Sequence, residues 1–347
     1  MAENQSFELP PLEERPLVTF LLIAYNQEKY IREAVEGAFS QTYEPMEIVL
    51  SDDCSSDRTF EIMEGMARKY RGPHRVVVRK NQENLRPYSH VLAAARISKG
   101  KIIVLAAGDD ISEPNRTAEI YVASKATDSW AFHSRFDLIN EFGNVLSTSQ
   151  RSESLFSIGN EFSKYFIVED GPVYVVHGAT SAYSRELIDF APENNDGILS
   201  EDGMFTILLN MKKKRATFID KSLVKYRTHS EATSNARPDL SSANITAFRN
   251  LLNKQADYAK NIADRASLAL SFSDNATEEL RQLNETYLRD EITIQRANYL
   301  WKRLSVRERL VAMQLALQRH RVGYIMPSML GPRVGPFYLW LRHRFAR

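Results

Sequence analysis

Residues 101–115, KIIVLAAGDDISEPN, constrain the fold of this chain most strongly. Ile102 to Ala107 is an unbroken apolar run between Gly100 and Gly108. A run this short and this apolar reads as a strand covered on both faces, the pattern of a parallel sheet. It stops at two adjacent carboxylates, Asp109 and Asp110, and Ser112 and Pro114 then read as the start of a helix. Open α/β sheets bind ligands at the carboxyl ends of their strands. Neighbouring side chains cannot both point the same way, so one acid can hold a metal while the other meets a sugar or ribose hydroxyl. An isolated Asp-Asp would read as a solvated turn; the buried strand in front makes this one a candidate site.

The segments before it alternate strand and helix. Leu17 to Ala24 is a buried-strand run ended by Tyr25-Asn26, and Tyr30 to Ser40 carries Ile31, Ala34, Val35 and Ala38 at helical spacing. Glu47 to Ser51 is a second strand, ending at Asp52-Asp53, and Asp57 is placed to cap a helix from Arg58 to Tyr70. A strand at Val76 to Val78, a polar loop from Asn81 to Pro87 and a helix over Val91 to Ile97 lead to Gly100. This alternation predicts a Rossmann-like, mostly parallel α/β sheet flanked by helices.

After Asn115 the expected elements shorten. Strands are predicted at Trp130 to Phe132 and Phe136 to Ile139, with a turn at Glu141 to Asn144. Val173 to Tyr183 is strand-like and holds His177-Gly178; Ser200 is placed to cap a helix that opens on Glu201-Asp202 and runs to about Asn210. Short strands are expected at Thr217 to Ile219 and Leu223 to Tyr226. From about Pro238 the pattern is helical, with one apolar face on Phe248, Leu251, Leu252, Tyr258 and Ile262. A second runs through Leu280, Leu283, Tyr287, Leu288, Ile292, Leu300 and Trp301. The Ser-, Thr- and Asn-rich stretch from Ser230 to Pro238 places the boundary between a catalytic domain, 1–236, and a helical C-terminal region, 237–347.

Composition excludes several classes. A net charge of +1 over 347 residues carries no global nucleic-acid signature. The single cysteine, Cys54, leaves no intrachain disulfide and suits a reducing compartment. No run approaches bilayer length and residues 1–14 do not read as a signal peptide, so a cytoplasmic protein, at most peripheral at the inner face of the cell membrane, is expected.

Tyr25-Asn26, Asp52-Asp53, Asp109-Asp110 and Glu201-Asp202 line up on one predicted sheet edge. The stretches LLIAYNQEKYIREAVEGAFSQTYEPMEIVLSDDCSSDRT, AAGDDISEPNR and GILSEDGMF carry a resemblance over about Leu17 to His229. In order and content they resemble the family 2 inverting glycosyltransferases of the GT-A fold, of the bacterial surface-polysaccharide type. The chain departs from that family at Asn84-Leu85-Arg86, where Asn-x-Gly is usual, and at Ile23-Ala24, where Pro and Thr are common.

The resemblance implies direct displacement at the anomeric carbon of a nucleotide-sugar, a UDP-sugar by family habit, with inversion. It implies Mn²⁺ or Mg²⁺ as a Lewis acid on the diphosphate. It implies Asp110 as first metal ligand, His229 completing the coordination, Asp109 on the ribose or sugar, and Arg227 paired bidentately with phosphate. Asp202 is the implied general base, taking the acceptor's hydroxyl proton. Tyr25 and Asp53 fit the nucleoside, Asn26 and Asn84 are further donor-binding positions, and Asp52 is expected to be structural. The implied acceptor is a glycan or lipid-linked hydroxyl in surface-polysaccharide biosynthesis.

Two other classes stay open. A nucleotidyltransferase shares the fold class and the acids, but usually shows a Gly-rich basic loop where this chain has Tyr25-Asn26-Gln27-Glu28. A non-catalytic sugar-nucleotide-binding protein would lose the second acid pair or the base. An NAD-binding fold is excluded, because no G-x-G-x-x-G follows the first strand.

The tail carries its own signal. Arg309 to Arg347 holds seven arginines and no acid, and ends in PFYLWLRHRFAR. Aromatic and basic groups side by side suit an anionic membrane surface; the competing reading packs Phe337 to Leu341 as core. The helical faces from Pro238 to about Ser305 predict a hairpin that packs on the catalytic domain or pairs two chains as a homo-oligomer.

Overall fold

The computed structural model describes residues 9–148, 174, 176–193, 201–229, 290, 293–294, 297, 301, 304–318, 326 and 329–330. The chain divides into two compact units, Met1–Thr228 and His229–Arg347. In the first unit the strands are β1 (Val18–Ala24), β2 (Met46–Asp52), β3 (Arg75–Lys80), β4 (Ile102–Ala107), β5 (Ile111–Ser112), β6 (Ser129–Ile139), β7 (Val145–Thr148), β8 (Ala182–Ser184) and β9 (Arg215–Arg227). The helices are α1 (Ile31–Phe39), α2 (Thr59–Lys69), α3 (Arg86–Ile97), α4 (Arg116–Ala126), α5 (Arg185–Phe190) and α6 (Glu201–Met211).

These strands form one sheet in the order β3-β2-β1-β4-β8-β6-β9-β5, with β7 beside β6. The β3-β2-β1-β4 half is wholly parallel, and β6 and β9 also pair in parallel. The short β5, β7 and β8 pair antiparallel to their neighbours. Strands β1, β2 and β4 are buried almost from end to end, as continuous apolar runs require when helices cover both faces. Helix α1 turns Ile31, Ala34, Val35 and Ala38 into the core that Phe20, Leu22, Ile48 and Val104 share. The sheet is therefore mostly parallel by length, as the alternation predicts.

Five expectations need correction. The two short strands around Trp130 and Phe136 are one strand, β6, and those around Thr217 and Leu223 are one strand, β9. Their register jumps where Ser134 pairs Ile219 and Arg135 pairs Ser222, so polar Asp220-Lys221 bulges out and interrupts the apolar pattern. Ser112 does not open a helix. Ile111–Ser112 pairs with Val224 and Lys225, and α4 starts only at Arg116. Helix α3 starts at Arg86, five residues before the predicted Val91, because Asp53 accepts the N–H groups of Leu85 and Arg86 from across the sheet edge. Around His177 there is a 3₁₀ turn, Gly178–Thr180, followed by the brief β8.

In the second unit Ile294, Ala297, Leu304, Ala312 and Ala316 are buried together. Helix α7 (Val306–Gln318) begins with a capping box: Glu308 accepts from the Ser305 N–H at 2.8 Å, and Ser305 Oγ accepts from the Glu308 N–H at 3.3 Å. The sequence reading treats Arg309 onward as a tail; the S-x-x-E signal at Ser305 marks a helix there instead. Most of the predicted hairpin and the tail from Arg319 lie outside the described residues, apart from a few single positions. Among the described residues no helix is long and apolar enough to cross a membrane.

Candidate active site

The loops that end β1 and β2 are sewn together by hydrogen bonds. Asn26 donates its N–H to Ser55 Oγ at 2.9 Å and accepts from the Ser56 N–H at 2.9 Å through Oδ1. Asn26 sits at φ +52°, which its short polar side chain tolerates. Gln27 donates to Thr59 Oγ1, Glu28 donates to Asp57, and the Arg58 N–H returns to Glu28. Asp57 also accepts from the Thr59 N–H, although the N-cap of α2 is Arg58 and not Asp57 as expected. Tyr25 crosses this wall with its side chain 48% exposed, free to stack on a flat ring. Asn26 is thus used internally, while Tyr25 is open.

Asp53 is buried, and its carboxylate serves the protein first. Oδ1 accepts from Asn81 Nδ2 at 2.6 Å and the Leu85 N–H at 2.9 Å, and Oδ2 accepts from the Arg86 N–H at 3.0 Å. Behind it a buried network links Arg79 to Ser51 and Asn81, and Ser51 Oγ to His90 Nε2 at 2.7 Å. Asn84 is exposed and its Oδ1 accepts from the Arg86 N–H at 2.9 Å, closing a local turn. Asp53 and Asn84, both expected on the donor, also shape the loop that follows β3.

The acid pair after β4 is split by burial. Gly108 brings it close to the β1 loop, since a Cβ there would meet Gln27 Oε1 at 2.5 Å and Ala24 Cβ at 2.9 Å. Asp109 is half-buried, whereas Asp110 is buried between two arginines. Its Oδ1 accepts the Arg227 N–H at 2.8 Å; its Oδ2 is buried with no hydrogen-bond partner. Burial, then the charge of Asp109, pushes the Asp110 carboxyl well above the usual range, against the pull of the Arg227 amide and the Arg116 and Arg227 guanidinium groups. Arg116 is fully buried, and desolvation pushes it down to about 10.

Arg227, expected to pair with phosphate, is committed within the protein. Its side chain is wholly buried and every nitrogen is engaged within the protein. Nε donates to the Asp109 carbonyl at 2.8 Å, Nη1 to the carbonyls of Asn140 and Glu141, and Nη2 to Glu33 at 2.9 Å. The guanidinium lies over the Tyr30 ring. A phosphate would have to displace these partners, so Arg227 is a strut joining β9, α1, the acid pair and the β6–β7 turn. Glu33 carries no sequence signal for this part; only the fold reveals it.

Asp202 stands in the first turn of α6, where the helix dipole favours an ionised carboxylate. Two backbone donors aim it: Oδ1 accepts from the Gly203 N–H at 2.7 Å and Oδ2 from the Gly178 N–H at 3.2 Å. Only glycine fits easily at 178, since a Cβ would lie 3.2 Å from Asp202 Cβ and 2.5 Å from Glu201 Oε1. His177 stacks on Phe136 with ring centroids 5.2 Å apart and meets Tyr226 edge-on. Tyr226 precedes Arg227, so this packing brings the start of α6 to the edge that holds Asp109 and Asp110. Burial, with Glu201 and Asp202 nearby, pushes the Tyr183 hydroxyl up. Ser200 lies outside the described residues, and His229 opens the second unit, two residues past Arg227.

A glycosyl transferase family 2 model matches residues 19–190, which hold the parallel half-sheet and the acid pair. The chain belongs to glycosyltransferase family 2. An uncharacterized glycosyltransferase of Methanocaldococcus jannaschii is 27% identical over 222 residues, 62% of this chain and 71% of that protein. The Escherichia coli UDP-Glc:alpha-D-GlcNAc-diphosphoundecaprenol beta-1,3-glucosyltransferase WfaP is 33% identical over 94 residues, 27% of this chain and 36% of that protein. The crystal structure of S. aureus TarS 1-349 in complex with UDP-GlcNAc superposes with a TM-score of 0.51 at 16% identity, covering 95% of this chain and 92% of that one. That likeness is one of fold, and the fold is GT-A. This family 2 member is therefore a glycosyltransferase, an enzyme of another class than the nucleotidyltransferase and non-catalytic readings.

Proposed function

We propose that this glycosyltransferase is a metal-dependent, inverting enzyme of the hexosyltransferase class. It moves a sugar from a nucleotide-sugar, a UDP-sugar first, to a hydroxyl of a glycan or lipid-linked acceptor in surface-polysaccharide assembly. The observation that carries the reading is Asp202, aimed by two backbone N–H groups and packed through His177 and Tyr226 against the edge holding Asp109 and Asp110. The relative named for a diphosphoundecaprenol-linked acceptor supports the lipid-linked class. The location at the inner face of the cell membrane, the anionic-surface contact of the tail and the homo-oligomer belong to the same proposal and rest on sequence pattern.

Hard carboxylate oxygens suit Mn²⁺ or Mg²⁺. The residues fit such an ion: Asp109 is the more open acid, and Asp110 Oδ2 is a buried oxygen with no donor facing it. Among the described residues no cluster of three side-chain ligands forms, so donor phosphates and His229 would complete the set. When bound, the ion neutralises charge on the leaving diphosphate. The chain's own part is distinct. Tyr25 stacks the nucleoside, Asp53 holds the loop beside it, and Arg227 fixes the backbone of the acid pair. Asp202 accepts the acceptor's hydroxyl proton as that oxygen attacks opposite the leaving group.

A UDP-sugar panel with Mn²⁺ and with excess chelator tests the reading, with product configuration read by NMR. Asp202→Asn is expected to lower kcat by on the order of 10²–10⁴ while donor affinity holds. Full turnover in chelator by protein that retains no metal would refute metal dependence. Lost donor affinity with kcat kept would move Asp202 to the nucleotide site.

A further inference from the structure

Helix α7 turns its small side chains inward and its large ones outward. Ala312 and Ala316 are fully buried, and they let the helix lie close against Ile294, Ala297 and Leu304. Val306, Leu310 and Leu317 are 71%, 66% and 60% exposed. The gain on burial follows apolar area, so a helix placed only to fill a core would do the reverse. The outward residues also share a face. Val306, Leu310, Met313 and Leu317 recur at i, i+4, i+7 and i+11, which makes one stripe along the whole helix, with Met313 half-buried at its edge. Polar groups border the stripe without crossing it. Arg307 and Gln314 flank it and are exposed. Glu308, the one acid of α7, lies by helical spacing on the far side and is engaged with the Ser305 cap.

Two observations select what covers this face. The first is size. A helix of 13 residues is about 20 Å long and about 10 Å across, so the stripe offers about 200 Å², well short of the roughly 800 Å² that each partner buries in a stable protein pair. The second is charge. Arg309 to Arg347 holds seven arginines and no acid, so a second copy would bring the same sign to the same place. An anionic bilayer meets neither objection: its surface is continuous, it takes up a few inserted side chains, and it attracts arginine.

We propose that α7 lies in the plane of an anionic membrane surface, with Val306, Leu310, Met313 and Leu317 inserted below the headgroups and the arginine-rich continuation of the chain adding attraction. This deepens the membrane-surface reading above and rests on it. That reading places the contact in the aromatic and basic end of the chain, whereas α7 supplies an apolar anchor that precedes it.

Co-sedimentation of the full chain with phosphatidylglycerol–phosphatidylcholine vesicles and with pure phosphatidylcholine vesicles tests this, using wild type, the double variant Leu310→Gln with Leu317→Gln, and Val306→Gln. Glutamine leaves the charge unchanged, so a fall in binding reads the stripe alone. Wild type is expected to bind the anionic vesicles about 10-fold or more tighter than the neutral ones and to release as salt rises. The double variant is expected to bind the anionic vesicles about 10-fold or more weaker, with no fall in melting temperature, and Val306→Gln to shift the same way by less. Equal binding by wild type and the double variant would overturn the inference and leave the aromatic end as the contact. A wild type that binds neither vesicle would overturn both. Equal binding to neutral vesicles would remove the anionic partner. A dimer in light scattering that the double variant dissociates would make a second copy the occupant, and a lower melting temperature with vesicle binding unchanged would place the stripe inside the fold; either overturns the inference. None of these outcomes touches the glycosyltransferase reading, which the UDP-sugar panel decides. Should the double variant fail to fold, Val306→Gln decides by the same measure.

Discussion

Asp52-Asp53 closes β2 and Asp109-Asp110 follows β4, with β1 between them in the sheet. Each pair ends a buried parallel strand, but their oxygens are spent differently. Asp52 Oδ2 accepts the Ser55 N–H at 2.8 Å with Lys80 3.7 Å away, and Asp53 accepts three N–H donors from the loop between β3 and α3. The second pair leaves Asp109 half-buried and one oxygen of Asp110 without a donor. A carboxylate at a sheet edge is available to substrate only to the extent that the fold leaves its lone pairs unused. Asp52 Oδ1 is likewise buried without a donor, so what sets the second pair apart is exposure: Asp52 and Asp53 are both buried, whereas Asp109 reaches solvent. On that ground the first pair is proposed to build the nucleoside wall and the second to face the chemistry.

The largest expected effect separates the members of the second pair. Asp110→Ala strands the Arg227 N–H and removes the carboxylate between two buried arginines, so a loss of about 2–5 kcal/mol in urea unfolding is expected. Unchanged unfolding would show that Arg116 and Arg227 do not depend on it. Asp109→Asn should unfold like wild type yet lose on the order of 10²-fold or more in turnover. An Asp109→Asn enzyme that turns over normally would leave Asp110 as the working acid.

How far the sequence foretells this is uneven. The parallel half-sheet is legible because β1, β2 and β4 are continuous apolar runs, and burial on both faces permits little else. Strands β6 and β9 are misread as four pieces, since a bulge at Asp220-Lys221 breaks the apolar run without ending the strand. Asp202 is legible as an acid opening a helix, but its aiming by Gly178 comes from a segment distant in sequence. The partner of Arg227 is not legible, because Tyr-Arg-x-His says nothing of Glu33, which meets it from α1 and has no local pattern to announce it.

The next effect tests the first pair. Asp53→Asn keeps the shape but replaces one acceptor oxygen with an amide donor facing the Leu85 and Arg86 N–H groups. A stability loss of about 1–3 kcal/mol is expected, with weaker UDP binding and an unchanged metal requirement. If Asp53→Asn instead raised the metal concentration needed for half-maximal turnover, the two pairs would not be separate, and the division between wall and chemistry would fail.

The smallest effect probes what lies under the wall. His90 is 2% exposed, and burial lowers its imidazole from 6.5 to about 4, with Arg79 adding to the fall and Asp53 opposing it. The folded state therefore holds His90 neutral where the unfolded chain protonates it. Below an ordinary pKa near 6.5 the unfolded state binds the extra proton, so stability from this group is complete above that value and shrinks as pH falls toward about 4. Between about pH 7 and about pH 5.5 the expected loss is on the order of 1 kcal/mol. His90→Gln should flatten that part of the stability curve, measured by urea unfolding at each pH, even if it lowers the whole curve by disturbing Ser51. A slope that survives in His90→Gln would assign the acid sensitivity elsewhere. A slope lost in His90→Gln would localise the sensitivity to the buried network behind Asp53.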